Sequence, residues 1–279
     1  MSESSGPRQV TLARLYELGI RPDRELGQNF LVDDNLLGVI DRLARLSPAD
    51  CVLEIGAGVG VLTAHLARRV DRVLAIEIDR RLAVALERTL DGLTNVELVW
   101  GDAMRLDLSQ LAPPPTAFVA NLPYHVAAPL VLDSIAGLPS VERWCVLIQA
   151  EIADRLTAGP GDALYGGPSV LSALALAPTG RHAVSRRVFV PQPNVDSALV
   201  AFDRRASFAT LATEWPEVVA TVRAAFGHRR KTLANALVLG GFCERVDVMA
   251  ICERADVDSR LRAEALPPEA FVRLSRSRR

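Results

Sequence analysis

Between residues 51 and 157 short apolar runs alternate with segments of helical periodicity, and this alternation restricts the fold more than any other feature of the chain. Residues 51–55, 72–78, 96–100, 116–120 and 143–149 read as strands; residues 61–69, 80–90 and 129–135 read as helices, with another helix starting at 151–157. Strands separated by helices at this spacing form a parallel sheet covered on both faces, an α/β fold that takes ligands beyond the carboxyl ends of its strands.

The flanks read differently. Residues 11–18 predict a short helix ending at Gly19. Residues 33–46 predict another, with Leu36, Leu37, Ile40 and Leu43 on one face and Asp caps at its start. The Gly- and Pro-rich residues 159–167 predict a mobile loop, and 184–190 with 197–202 a strand pair joined through Pro191-Gln192-Pro193-Asn194. Beyond Ser207 the pattern is helical at 215–226, 231–238, 246–254 and 268–274. The expected organisation is an α/β domain over 1–205, including the N-terminal helical segment, and a small helical domain over 206–279. A chain of 279 residues, 49% hydrophobic and 23% charged, is long enough for both.

Composition narrows the function classes. No apolar run approaches the roughly 20 residues a membrane span needs, and residues 1–6 are polar, without a secretory signal pattern, so a cytoplasmic protein with no membrane partner is expected. Cys51, Cys145, Cys243 and Cys252 form no Cys-x-x-Cys pair and have no His at ligand spacing, so the expectation is reduced thiols and no metal. The net charge is −1, yet basic residues cluster at Arg186-Arg187, Arg204-Arg205, Arg223, His228-Arg229-Arg230-Lys231 and the tail Arg273, Arg276, Arg278, Arg279. Such clusters suit either a solvated face or a nucleic-acid backbone.

The loop Glu54-Ile55-Gly56-Ala57-Gly58-Val59-Gly60 joins the first strand of the alternating region to its helix, with glycines at alternate positions. Glycine permits a tight turn and lets a ligand lie against main-chain N–H groups near a helix N-terminus. A dinucleotide fingerprint would place its third glycine at position 61, which is Val61. Glu77 ends the next strand, where a carboxylate can accept from both ribose hydroxyls, as it also would for NAD. Asp102 follows the strand after that, placed to accept from an adenine amino group. S-adenosylmethionine satisfies the set, with adenine at Asp102, ribose at Glu77 and the amino-acid part near Gly56 and Gly58.

Asn121-Leu122-Pro123-Tyr124 stands where the fourth strand of that sheet ends. Asn121 offers a side-chain carbonyl and Leu122 a main-chain carbonyl freed by the proline. Pro123 fixes the turn, and Tyr124 supplies a ring on which a planar base can stack. Two carbonyls can accept both hydrogens of a purine amine and draw its nitrogen toward tetrahedral geometry, while His125 reads as a surface residue after the turn.

With these motifs in order, the chain resembles the ribosomal RNA adenine N6-dimethyltransferase family. Also matching are Gly27-Gln28-Asn29-Phe30-Leu31, Gln149-Ala150-Glu151, Tyr165-Gly166, Pro191 through Ser197, and Ala225 through Leu233, so that the likeness runs from about 24 to 240. The resemblance implies a Rossmann-like class I S-adenosylmethionine-dependent methyltransferase sheet with a small C-terminal helical domain. It implies cofactor contacts from Asn29, Leu31, Gly56, Glu77, Asp102 and Asn121. It also implies dimethylation of two adjacent adenines near the 3′ end of 16S rRNA in the assembling 30S subunit, by a monomer. Arg229, Arg230 and Lys231 are the expected RNA contacts, with a solvent-facing helix start as the alternative. Ala150 stands where the family has Lys, and Ala127-Ala128 stand where it has hydroxyl residues; small side chains there would leave room for a second methyl group. Large-subunit rRNA adenine methylation, a non-catalytic RNA-binding assembly factor and, more distantly, a Rossmann dehydrogenase are the competing readings.

Overall fold

The computed structural model describes residues 15–23 and 25–278. The expected first helix is described only at its end, residues 15–17, with Gly19 in the left-handed conformation; the rest of it, and Arg279, lie outside the described residues. Strands are β1 Phe30–Leu31, β2 Cys51–Ile55, β3 Arg72–Glu77, β4 Val96–Trp100, β5 Ala117–Asn121, β6 Arg143–Gln149, β7 Leu176–Val184, β8 Phe189–Val190 and β9 Ser197–Arg204. Seven of them form one sheet in the order β4-β3-β2-β5-β6-β9-β7, parallel from β4 to β6, with β9 antiparallel to β6. The strand order reverses between β2 and β5, so the loops after these two strands flank the crevice where such sheets take ligands.

The central strands are apolar because helices cover both faces. Every residue of Cys51–Ile55 is buried, as are Val73 to Glu77 of β3. The helix Asp34–Ala44 starts where the sequence places it: the Asp33 side chain accepts from the Leu36 N–H at 3.1 Å. Gly60 explains the third glycine of the loop. Its φ is +84°, and a Cβ there would lie 3.1 Å from Thr89, whose hydroxyl donates to the Val59 carbonyl at 2.6 Å. This glycine lets the first helix of the sheet approach the helix Ala83–Leu90, a packing role rather than a ligand role.

Two expectations about local elements need correction. Residues 184–190 are not a strand partner of 197–202: a 3-10 turn occupies Arg186–Val188, and β8 pairs antiparallel with β1. The neighbour of β9 is instead β7, an exposed edge strand whose Pro178 and Gly180 mask it in the sequence. Residues 159–167 are held rather than loose. Gly159 N–H donates to Asp162 at 2.7 Å, Gly161 N–H to the Glu264 carbonyl at 3.1 Å, and the fully buried Tyr165 donates its hydroxyl to Leu266 O at 2.8 Å.

The chain divides into two compact units, one holding the described residues up to Ala153 with Pro178–Asp203, the other Asp154–Ala177 with Arg204–Arg279. A single boundary near 205 therefore misassigns Asp154–Ala177. The helix Gly167–Ala175, which has no counterpart in the sequence reading, packs on Trp215–Phe226 and Pro268–Ser277 within the second unit. That unit also contains the helices Leu233–Leu239 and Val248–Arg254. No helix among the described residues is long and apolar enough to cross a membrane.

Candidate active site

A cavity over the carboxyl ends of β2, β3 and β5 is lined by Gly27 to Leu31, Glu54, Gly56 to Val59, Glu77, Ile78 and Asn121 to Tyr124. A second cavity shares Leu26, Gly56, Ile78 and Pro123 with it and extends to Gly101, Asp102, Met104, His125 and Leu130. The fold thus brings Asn29, Leu31, Gly56, Gly58, Glu77 and the whole Asn-Leu-Pro-Tyr segment into one cavity, with Asp102 in its neighbour. His125 is exposed and borders the second cavity. Arg229, Arg230 and Lys231 line neither.

Asn121 ends β5. Its side-chain nitrogen donates to the main-chain oxygen of Asn29 at 3.0 Å, and the Asn29 side chain in turn donates to Gly27 O at 3.0 Å. A carbonyl can only accept, so the Asn121 nitrogen is committed to it and the oxygen Oδ1 faces the other way. Neither Oδ1 nor the Leu122 carbonyl takes a hydrogen bond from any described residue; the Leu122 N–H donates to Leu147 O at 3.0 Å, which anchors the turn to β6. Tyr124 is half-buried, and its hydroxyl meets Ser197 Oγ at 2.7 Å. Burial raises the phenol pKa, with the Asp196 carboxylate adding to the shift and the Ser197 hydrogen bond opposing it.

The Gly-rich loop offers something other than the expected N–H cradle. Gly56 and Ala57 N–H groups donate to Ile76 O at 2.8 and 3.2 Å, Gly58 N–H to Glu77 Oε2 at 2.8 Å, and Gly60 N–H to Ala57 O at 2.9 Å. With these donors engaged inside the protein, the loop suits a pyrophosphate poorly and an uncharged or cationic group better. Glu77 also accepts from the Asp79 N–H at 2.8 Å through Oε1, so each oxygen of its carboxylate holds a main-chain N–H. Its burial raises its pKa against these hydrogen bonds.

Asp79 organises the rim. It accepts Gln28 Nε2 at 2.8 Å and two Arg81 nitrogens at 2.7 Å, and Arg81 reaches on to Asp23 at 3.0 Å. The Arg81 hydrogen bonds hold the Asp79 carboxyl below its ordinary range. This network ties the segment carrying Asn29 to the end of β3.

Glu54 has no assigned role in the sequence reading. It is 1% exposed, its Oε2 and the Thr63 hydroxyl beside it both lack a well-formed hydrogen bond, and burial pushes its pKa up to about 8. Its one sequence signal is an acid closing an otherwise apolar strand at the Gly-rich turn. Ala127 and Ala128 do not line the cavity; they begin the helix Ala127–Gly137, and Ala127 is fully buried. They therefore give no room for a second methyl group.

The residues present fit S-adenosylmethionine. An orphaned carboxylate oxygen on Glu54 suits a cation. Any side chain at Gly58 would come within 3.2 Å of the Phe30 ring, and one at Gly56 within 3.6 Å of the Asn121 main-chain oxygen, which keeps that wall of the cavity clear. Among the described residues no group of three or more His, Cys, Asp or Glu side chains could hold a metal ion.

Comparison with known proteins gives the same direction. The sequence profile of the family described as ribosomal RNA adenine dimethylase matches residues 21–277. The chain is 43% identical over 287 residues to ribosomal RNA small subunit methyltransferase A of Thermobifida fusca, covering 99% of both chains. It is 44% identical over 266 residues to the protein of the same name from Kineococcus radiotolerans, covering 94% of this chain and 87% of that one. Among solved structures it resembles a dimethyladenosine transferase from Plasmodium falciparum, with a TM-score of 0.73 at 25% identity over 88% of this chain and 95% of that one. It also resembles the 23S rRNA methyltransferase ErmE, with a TM-score of 0.65 at 29% identity over 89% and 99%.

Proposed function

The chain belongs to the ribosomal RNA adenine dimethylase family, and from that premise we propose that it dimethylates N6 of two adjacent adenines near the 3′ end of 16S rRNA within the 30S particle, using S-adenosylmethionine. The observation that carries the reading is the Asn121–Asn29 hydrogen bond, which leaves two carbonyl oxygens, Asn121 Oδ1 and Leu122 O, unclaimed at the mouth of the sheet.

When bound, S-adenosylmethionine supplies a methyl group on a positively charged sulfur, an electrophile with a neutral leaving group. Gly56 and Gly58 would leave it space, Glu54 would face its ammonium, Glu77 would accept from its ribose, Asp102 would accept from its adenine amine, and Asn29 and Leu31 would line it. Asn121 Oδ1 and Leu122 O accept the two N6 hydrogens of the target. Nitrogen held in this way loses conjugation with the purine, and its lone pair becomes available. Pro123 has no N–H to compete for these oxygens and fixes the turn. The adenine leaves its RNA stack to reach Tyr124, whose ring face offers about 1–3 kcal/mol of stacking. The N6 proton becomes acidic only after methylation and passes to solvent, so none of these four residues acts as a base.

The helical unit supplies the contact with the particle. Arg230 and Lys231 are exposed and make no ion pair with described residues, as phosphate contacts require. Arg229 is committed in part to Tyr165 O at 3.3 Å and to Glu264 at 3.7 Å. Incubation with labelled methyl donor and 30S particles lacking the modification, followed by mapping of the bases, tests the reading. Two neighbouring dimethyladenines near the 16S 3′ end are expected; label in 23S rRNA alone would transfer the assignment to the large subunit.

A further inference from the structure

The segment Asn194–Ser197 belongs to the motifs that the proposed chemistry leaves without a role. Ser197 is 2% exposed and opens β9, where the following residues Ala198, Leu199 and Val200 are all buried and apolar. A hydroxyl in such a row costs free energy unless it is hydrogen-bonded, and here its side-chain partner is Tyr124 Oη at 2.7 Å.

The position of Ser197 is set without any help from Tyr124. It is paired with Gln149 across β6. Its neighbour Asp196 accepts the Ala150 N–H through its main-chain oxygen and the Arg186 N–H through Oδ1, both at 3.1 Å, while the Arg186 guanidinium holds Asn194 O at 3.3 Å. A rigid strand end thus presents one hydroxyl to a half-buried ring that the Asn-Leu-Pro-Tyr turn alone would leave free to rotate about its side-chain torsions.

We propose that Ser197 is a positioning residue for methyl transfer: through the Tyr124 hydroxyl it fixes the plane of the ring on which the target adenine stacks. The proposal rests on the reading that Tyr124 receives the base. It assigns the phenol oxygen to Ser197 and only the ring face to the substrate.

The test uses the full chain with S197A, Y124F, the double variant and Y124A, assayed on 30S particles lacking the modification, with S-adenosylmethionine affinity and thermal unfolding measured for each. S197A and Y124F are each expected to raise KM for the particle about tenfold, the effect of one hydrogen bond, with donor affinity unchanged and the double variant no worse than either single one. Wild-type KM in S197A, or losses that multiply in the double variant, would overturn the proposal. If S197A does not fold, Y124F breaks the same bond from the other end, and a wild-type KM there overturns it equally. Wild-type turnover by Y124A would remove the stacking reading itself, whereas an inactive Y124A beside an unaffected S197A removes only the role of Ser197.

Discussion

The main-chain oxygen of Asn29 accepts the side-chain amide of Asn121 at 3.0 Å, joining residues 92 positions apart. This bond decides which end of the amide faces the cavity. Turned over, the amide would direct N–H groups at the hydrogens of an incoming amine and repel them. On the proposed reading, residues 27–31 therefore serve the target amine as well as the cofactor, and the Asp79 network with Gln28 and Arg81 keeps them seated.

Glu54 carries a pH signature. Burial raises its folded-state pKa from the ordinary 4.5 to about 8, so between these values the unfolded chain has lost a proton that the folded protein keeps. Its contribution to stability therefore falls as pH rises from about 4.5 to about 8 and is constant above. Glu54→Gln removes this dependence. The stability of the variant relative to the parent should rise between pH 5 and pH 8 and level off beyond; parallel denaturant midpoints across that range would show that Glu54 is not held neutral.

Gly60→Ala tests the packing role of the third glycine. The added methyl would lie 3.1 Å from Thr89 and 3.2 Å from Leu86, on a backbone with φ +84°. A loss of about 1–3 kcal/mol follows, a fall in Tm of several degrees. An unchanged melting temperature would mean that the two helices have room to part.

The basic run separates into two behaviours. Neutralising Arg230 and Lys231 should lower the slope of log affinity against log salt by roughly 0.7–0.9 for each phosphate that these side chains no longer neutralise, with Tm unaffected. Arg229→Ala should cost up to about 1 kcal/mol of stability, because its guanidinium holds Tyr165 O and faces Glu264. Equal salt slopes in Arg230→Ala/Lys231→Ala and the parent would exclude these two residues from the RNA interface.

The parallel core of the sheet is legible from sequence. Strands at Cys51–Ile55 and Arg143–Gln149 have the expected bounds, since strands buried on both faces read as continuous apolar runs, and Val96–Trp100 has them too although it is a partly exposed edge strand. The edge strand Leu176–Val184 has no such run, and the two-residue ladder of Phe30–Leu31 with Phe189–Val190 is too short to leave a pattern. The return of Asp154–Ala177 to the helical unit depends on packing between distant segments, which no local window contains. In the candidate site, the Gly-rich loop and the Asn-Leu-Pro-Tyr turn stand out by residue type. Asn29 acts on Asn121 through a main-chain carbonyl that any residue would carry, and Ser197 through a burial that only the assembled sheet creates.

The central claim is that Asn121 grips the target amine, and single-turnover methyl transfer to 30S particles by Asn121→Ala, with S-adenosylmethionine affinity measured on the same samples, tests it most directly. Transfer should slow by about a hundredfold to a thousandfold, the cost of removing one preorganised transition-state contact, while donor binding is retained at least in part. Transfer at near the parental rate would contradict the account, whatever the donor affinity.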